Sequence, residues 1–281
     1  MTILFPTDFS EASANAFGMV AVLAEKTGLP VTLIHIENPP IISPAYDDAG
    51  MSMVTDTLLA DMDTMVHNRI AAFRDELNTR FHLDQRNVGL QEEVRIGFHG
   101  EEIARAAEEL DAAYIVTSVR DVPLVNRVLF GGTVNAILRH TNRPVITLPE
   151  HQPLHQFQRI GYATDFSLDD GALITRLLDF ARLYDARVYC FHVHDSNLDV
   201  EYDILRELEE MYSTEITEGR ITFYLQENLR ILDGLEYFIQ EHNLDMLAMM
   251  RQKHYWPEFL NGSHTRSMAL HARIPMLIFH E

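Results

Sequence analysis

The sequence predicts an α/β protein made of two tandem doubly wound domains, each with a five-stranded parallel sheet. Three observations support this prediction. The chain of 281 residues is long enough for two domains of ordinary size. Residues 3–38 recur without a gap 157 positions later, so the chain repeats itself. Short apolar runs alternate with amphipathic helical stretches, and this order is typical of parallel strands joined by right-handed helical crossovers.

The first copy begins with a strand, a helix and a second strand. The apolar run at residues 3–6 predicts the first strand, and Ser10 follows it as the helix N-cap. Apolar residues then recur at helical spacing until Gly28, which ends the helix. Residues 31–36 are β-rich and apolar throughout, as expected for a strand covered on both faces.

The remaining elements of the first copy continue the alternation after a polar loop that contains proline. They are a long amphipathic helix at residues 53–79, a strand at 89–96, a helix at 101–110, a strand at 114–118, a helix at 133–139 and a last strand at 145–148.

The second copy repeats the pattern. Ser167 is predicted to cap its first helix together with Asp170, three residues further on. The buried stripe of that helix is predicted to contain Leu173, Leu177 and Phe180 or Ala181. Residues 188–193 form its second strand. The Met-rich residues 246–250 are interpreted as a buried fourth strand, although methionine also suits an adaptable pocket.

A second stretch of similarity has a different spacing. Gly131, His140 and Pro144 match Gly262, His271 and Pro275 at an offset of 131 residues. The second copy therefore lacks 26 residues, which we place within residues 39–73 of the first copy. The domains are predicted at residues 1–149 and 158–281. The linker at residues 150–157 lies in a polar stretch that carries two prolines, Pro149 and Pro153.

Composition excludes several classes of function. Lys plus Arg total 22 and Asp plus Glu total 42, so the formal charge of −20 repels phosphate backbones and anionic lipid. We therefore expect neither nucleic acid nor membrane as a partner. The single cysteine, Cys190, excludes a disulfide framework and a Cys-based zinc cage. The sequence has no signal peptide pattern and no long apolar run, so we expect a cytoplasmic protein.

The candidate site lies where the carboxyl ends of the strands meet, at the point where strand order reverses. Thr7 and Asp8 follow the first strand of the first copy, and Thr164 with Asp165 follow that of the second. Two interpretations of these acids stay open. Either carboxylate could accept hydrogen bonds from an adenine amino group or a ribose hydroxyl, or could order the turn and cap the next helix.

Three features in a fixed order resemble one known family. These are Thr-Asp-Phe-Ser after the first strand, Ile-His-Ile or Phe-His-Val at the second, and a Gly-containing turn, helix and Arg-Pro-Val-Ile strand at the end. The chain resembles a tandem member of the universal stress protein family over nearly its whole length. The resemblance implies an adenine nucleotide alpha hydrolase-like fold. It also implies pairing through the last strands, so that the two copies form an intramolecular pseudo-dimer.

Some members of that family bind ATP through an Asp after the first strand, a backbone contact at the end of the second, and a Gly-x2-Gly-x9-Gly-[Ser/Thr] loop. The resemblance places the acid at Asp8 and Asp165 and the backbone contact at Ile36 and Val193. The loop positions fall on Ser118, Asp121, Gly131, Gly132 and Thr133 in the first copy, and on Met249, Gln252, Gly262 and Ser263 in the second. Both copies have lost the two earlier glycines, which let backbone N–H groups approach phosphate oxygens. We therefore expect triphosphate binding to be weakened or lost in both halves.

Several other residues of the sequence have either a functional or an ordinary structural interpretation. His192 and His194 share one strand face and could bind zinc with a third ligand, but His35 and His192 occupy equivalent positions, which favours hydrogen bonds to the backbone. Cys190 is expected to be an inert packing residue. The aromatic segment at residues 255–257 is a candidate contact for a partner or an apolar ligand, or else it folds over the emptied pocket. No catalytic motif such as Gly-x-Ser-x-Gly, Walker A or His-Glu-x-x-His is present.

These observations favour a non-enzymatic stress-response protein that binds a protein partner or a small ligand. One alternative is a sensor that binds ATP or AMP in the first domain, with slow hydrolysis at most. A second is a carrier of a metal or an apolar ligand. The sequence requires no cofactor and identifies no metal ligand. It is compatible with a monomer of pseudo-dimeric halves or with a homodimer.

Overall fold

A computed structural model describes residues 1–38, 49–119, 132–149, 156–164, 166, 170–194, 199–228, 230–251 and 274–280. Strands and helices alternate along the chain, which confirms the predicted α/β class. The elements of the first copy are β1 (Thr2–Pro6), α1 (Glu11–Thr27), β2 (Val31–Glu37), α2 (Ala49–Phe81), β3 (Leu90–Ile96), α3 (His99–Glu109), β4 (Ala112–Val119), α4 (Gly132–His140) and β5 (Val145–Pro149).

The second copy follows the same order with a shorter middle. Its elements are β6 (Arg159–Ala163), α5 (Asp170–Arg182), β7 (Arg187–His194), α6 (Asp199–Met211), α7 (Ser213–Thr217), β8 (Ile221–Glu227), α8 (Ile231–Glu241), β9 (Met246–Arg251) and β10 (Met276–His280). Fifty-two residues separate β2 from β3, and 26 separate β7 from β8. The 26 missing residues therefore lie between the second and third strands, as predicted.

The chain forms two compact units. The first comprises Met1–Thr117 and Gly132–Thr141, and the second comprises Ser118–Gly131 and Asn142–Glu281. In the first unit the strand order is β3-β2-β1-β4, and the strands are parallel. The order reverses at β1, which lies between β2 and β4. Open α/β sheets bind ligands at the carboxyl ends of strands beside such a reversal, which here is the carboxyl end of β1.

In the second unit the strand order is β5-β10-β9-β6-β7-β8. The five strands from β10 to β8 are parallel, and β5 pairs antiparallel with β10. The order reverses at β6, so β6 is the counterpart of β1. The Met-rich segment forms the buried strand β9, which confirms the core interpretation of residues 246–250.

The first helix of each copy shows why its local sequence folds as it does. The N-cap prediction for Ser10 is confirmed, since its side chain accepts a hydrogen bond from the backbone N–H of Ser13. Gly28 ends α1 in the left-handed conformation with φ 68°, as predicted. Asp185 takes the same conformation after α5, with φ 53°. The predicted stripe of α5 is buried: Leu173, Leu177, Phe180 and Ala181.

In the described part of the chain, no helix has both the length and the apolar composition needed to cross a bilayer.

Candidate functional site

The turn after β1 is built by Thr7. Its backbone N–H donates to the Ile34 carbonyl of β2 at 2.9 Å, which extends the parallel ladder by one residue. Its buried hydroxyl oxygen accepts hydrogen bonds from the Phe9 N–H at 3.0 Å and from the Ser13 hydroxyl at 3.0 Å. These contacts connect the end of β1 to the first turn of α1, so the loop that carries Asp8 has a fixed backbone.

Asp8 lies in this turn with an exposed side chain. One carboxylate oxygen accepts the Ser10 N–H at 3.0 Å. Ser10 in turn caps α1, so Asp8 orders the turn that delivers the chain into the helix. The turn-ordering interpretation of Asp8 is confirmed. Its role toward an adenine or a ribose stays a prediction.

His35 of β2 is committed to structural contacts at both ring nitrogens. Its Nδ1 lies 2.7 Å from the Thr7 carbonyl oxygen, and since a carbonyl only accepts, Nδ1 is the donor. Its Nε2 lies 3.1 Å from a carboxylate oxygen of Glu37. The second copy repeats the first of these contacts, because Nδ1 of His192 donates to the Thr164 carbonyl at 2.8 Å. The prediction that these histidines bond to the backbone is confirmed.

The phenylalanine of the repeated Thr-Asp-Phe-Ser motif has a backbone conformation that its sequence does not indicate. Phe9 has φ 60° and Phe166 has φ 52°, a left-handed region that bulky residues rarely adopt. The Phe9 ring lies with its centroid 4.3 Å from that of His35, and the guanidinium carbon of Arg69 lies 4.7 Å from the Phe9 centroid. The Phe166 centroid lies 5.5 Å from that of His192. In both copies the strained residue packs its ring against the histidine.

The second copy replaces the buried serine with a buried acid. Asp170 occupies the position of Ser13 and is fully buried. Its carboxylate accepts the Thr164 hydroxyl at 2.5 Å and the Tyr162 hydroxyl. Tyr162 occupies the position of Phe5, so the donor and the acceptor are both present only in the second copy. Ser167, the predicted cap residue, lies outside the described part of the chain.

Cys190 lies in β7 with no exposed surface. Burial raises the pKa of its thiol well above the usual range, and the nearby charge of Asp170 raises that pKa further. A protonated buried thiol is a poor nucleophile, since the thiolate is the reactive form. The prediction that Cys190 is a packing residue is confirmed by this position.

The other predicted site residues divide into three groups. Ile36, Val193 and Met249 are buried strand residues of β2, β7 and β9. Ser118 lies in β4, while Gly132 and Thr133 are exposed at the start of α4. The rest lie outside the described residues: Asp121, Gly131, Asp165, Gln252, Gly262, Ser263 and the aromatic segment at residues 255–257.

Among the described residues, no group of three or more His, Cys, Asp or Glu side chains is placed to hold a metal ion. His192 and His194 do lie near each other, with ring centroids 6.5 Å apart. Nδ1 of His192 already donates to the Thr164 carbonyl. Only Nε2 of His192 is therefore left for any other contact.

Sequence reasoning missed the buried partners of these motifs. In the sequence, the Tyr162–Asp170 pair is seen only as two of many differences between the copies, at the positions of Phe5 and Ser13. Nothing in the sequence alone sets these two differences apart from the others. Hydrogen bonds hold the polar groups around the exposed Asp8 carboxylate in fixed positions. Such an arrangement is suited to binding a ligand.

The sequence profile of the universal stress protein family matches residues 1–149. A universal stress protein from Archaeoglobus fulgidus DSM 4304 resembles the chain with a TM-score of 0.67 and 18% identity, over 100% of this chain and 96% of that one. A protein of unknown function from Pseudomonas aeruginosa PAO1 has a TM-score of 0.60 and 13% identity, over 99% of this chain and 92% of that one. No curated protein matches the chain.

A shorter structure, a universal stress protein in complex with cAMP, matches 53% of this chain and 97% of its own, with a TM-score of 0.37 and 16% identity. At these identities the resemblance to solved structures concerns the fold.

Proposed function

Because this chain belongs to the universal stress protein family, we propose that it is a non-catalytic stress protein that binds a small ligand at the carboxyl end of its first sheet. In this proposal Asp8 recognises the adenosine part of a nucleotide, and triphosphate recognition has been lost. The cytoplasm is the expected location.

One observation carries the non-catalytic part of the proposal. Both ring nitrogens of His35 are bonded to structural partners, the Thr7 carbonyl and Glu37. A histidine acts as a general base only when a ring nitrogen reaches the proton that it removes. The Ser10 and Ser13 hydroxyls contact helix and turn atoms instead. The described polar groups here therefore form a rigid support without a nucleophile and base pair.

Asp8 supports the ligand-binding part. Its carboxylate is exposed beside the end of β1, where open α/β sheets bind their ligands. Its backbone is fixed by Thr7 and Ser10, so little entropy is lost when a ligand hydroxyl or amino group binds. Glycines that would admit phosphate oxygens are replaced at Ser118 and Asp121. Adenosine contacts without phosphate contacts are the expected result.

Calorimetric titration with adenosine, AMP and ATP tests the proposal. We expect adenosine and AMP to bind and ATP to bind no more tightly than AMP. Asp8→Asn keeps an oxygen for the Ser10 N–H and removes the charge, so it should weaken AMP binding about tenfold. Asp203→Asn, at an exposed acid on α6, is the matched control and should change nothing.

Each of four outcomes would overturn part of the proposal. ATP binding at least tenfold tighter than AMP would show that the phosphate loop still works. If the wild type and Asp8→Asn bind AMP equally well, Asp8 does not contact the ligand. If the wild type binds neither adenosine nor AMP, the proposed adenosine site does not exist. Steady turnover of ATP by the wild type would contradict the non-catalytic assignment.

A further inference from the structure

Three neighbouring strands of the second unit each have an arginine at their first residue or immediately before it. Arg159 opens β6, Arg187 opens β7, and Arg220 immediately precedes β8. Arg159 and Arg187 are register partners, and the pairing of Val188 with Ile221 places Arg187 beside Arg220 as well. We call these three residues the arginine row. Like charges side by side on adjacent strands repel each other, so the row attracts negative charge.

Among the described residues, an ion pair engages one end of the row and an acid lies beside the other end. Arg220 forms an ion pair with Glu218. Asp245 lies beside Arg159 and accepts its backbone N–H at 3.1 Å. In the described part of the chain, the exposed guanidinium of Arg187 makes no hydrogen bond or ion pair. The central arginine is therefore available to an anion from outside the chain.

A cleft of about 670 Å³ lies beside the row. Arg159 and Arg187 line it together with the rings of Tyr189 and His242, whose centroids are 5.4 Å apart. Tyr189 lies two residues after Arg187 and therefore on the same face of β7. The Tyr189 ring stacks on the Tyr224 ring, with 6.1 Å between their centroids and an angle of 11° between their planes. This stacking holds the Tyr189 ring in place.

The cleft therefore combines guanidinium groups with aromatic surface. Guanidinium groups bind carboxylates and phosphates through paired hydrogen bonds, and aromatic faces bind flat rings. Asp185 and Glu241 also line the cleft, so it carries two acids against two arginines. This balance disfavours a highly charged ligand. A ligand with one anionic group and one flat ring fits both parts.

The first copy shows that the fold does not require these charges. Its residues at the positions of Arg159 and Arg187 are Thr2 and Pro30, and Gly89 precedes β3. The Thr2 hydroxyl donates to the Pro30 carbonyl at 3.0 Å, so that strand end is closed by a neutral contact. The same backbone pairing forms in both copies. The arginine row is therefore a property of the second copy alone.

We propose that this cleft is a binding site for a small aromatic anion. The carboxylate or phosphate of the ligand would contact Arg187 and Arg159, and its ring would lie against Tyr189 and His242. The cleft lies at the amino ends of β6 and β7, whereas the ligand site proposed above lies at the carboxyl end of β1. The two sites are independent.

Titration of the full chain with phenyl phosphate and with benzoate tests the site, followed by calorimetry or by NMR of the ligands. Phenol carries the ring alone and inorganic phosphate carries the anion alone. We expect phenyl phosphate or benzoate to bind at least tenfold more tightly than phenol and than inorganic phosphate. The stronger of the two identifies the preferred anionic group. Binding of inorganic phosphate as tight as that of phenyl phosphate would overturn the role of the rings.

Variants locate the binding. Arg187→Gln should weaken the tighter of the two ligands at least tenfold, because it removes the unpaired guanidinium without disturbing an existing contact. Arg206→Gln on α6 removes another exposed arginine, one that pairs with Asp203, and should leave binding unchanged. Asp8→Asn should also leave it unchanged, which separates this site from the adenosine site. Unaltered binding by Arg187→Gln, or no binding of either aromatic anion to the wild type, would overturn the proposal.

Discussion

The two copies use one backbone design with different buried chemistry. In both copies a phenylalanine in the left-handed conformation packs its ring against a histidine. The histidine donates to the backbone carbonyl of the threonine that lies two residues before the phenylalanine. The side-chain hydroxyl of that threonine accepts the phenylalanine N–H. Beneath this turn the first copy has Phe5 and Ser13, and the second has Tyr162 and Asp170. The hydroxyl donor and the buried acid occur together in the second copy, and a buried carboxylate needs such donors. The same backbone turn therefore accommodates two different sets of buried side chains.

The edges of the sheets differ as well. The amino ends of the strands carry the arginine row in the second copy and Thr2 with Pro30 in the first. At the carboxyl end, Glu37 faces His35, while His194 takes its place beside His192. Side chains at both ends have thus changed without altering the parallel pairing. The two proposed sites therefore lie at opposite strand ends, one in each copy.

The largest expected effect comes from transferring the acid alone to the first copy. Ser13→Asp places a carboxylate at a buried position that lacks the tyrosine hydroxyl, since Phe5 stands where Tyr162 is. We expect a loss of about 3 kcal/mol in the free energy of unfolding, typical of a buried charge with too few partners. Urea denaturation followed by circular dichroism measures it.

The double variant Phe5→Tyr with Ser13→Asp supplies the missing donor. It should recover about half of that loss, with a coupling energy of about 1 kcal/mol or more between the two positions. Additive effects of the two substitutions would mean that the side chains at these two positions do not contact each other in the first copy. The two copies would then not share the geometry of this pair.

The reverse exchange should have a somewhat smaller effect. Asp170→Ser leaves the buried hydroxyl of Tyr162 and that of Thr164 without their acceptor. The expected loss is about 2 kcal/mol, the range for unsatisfied neutral donors. Adding Tyr162→Phe removes one of these donors and should restore about 1 kcal/mol. If the wild type and Asp170→Ser unfold at the same urea concentration, Asp170 does not stabilise the second copy.

The smallest effect concerns the left-handed residue after the first helix of each copy. Gly28 and Asp185 occupy equivalent positions, with φ 68° and φ 53°. Apart from its chain neighbours, no described residue has an atom within 4 Å of a Cβ built on Gly28, so a side chain there costs backbone energy alone. Gly28→Asp should lose about 1 kcal/mol, and Asp185→Gly should gain about 0.5 kcal/mol. Thermal unfolding by calorimetry compares them, and opposite signs for the two are the decisive result.

The sequence predicted elements well where periodicity and caps are local. Ser10, Gly28 and the Met-rich strand at residues 246–250 were placed correctly because helix caps and buried strands depend on neighbours along the chain. Alignment of the two copies also predicted where the second copy lacks 26 residues.

The sequence predicted less about the site. It placed Asp8 at the right strand end, but the commitment of both His35 nitrogens depends on Thr7, 28 residues away, and on Glu37. The left-handed conformation of Phe9 was not expected either, because propensity disfavours it for an aromatic residue and tertiary contacts with His35 and Arg69 accompany it.

What the sequence by itself determined is the repeat, the order of strands and helices, and the acid at the end of each first strand. These follow from periodicity, capping and self-similarity, which act over short distances along the chain. Only the tertiary structure decided which side chains meet. Arg159, Arg187 and Arg220 are far apart in sequence, and they become neighbours because parallel strands pair in register. Ligand chemistry arises from that pairing, and no local pattern encodes it.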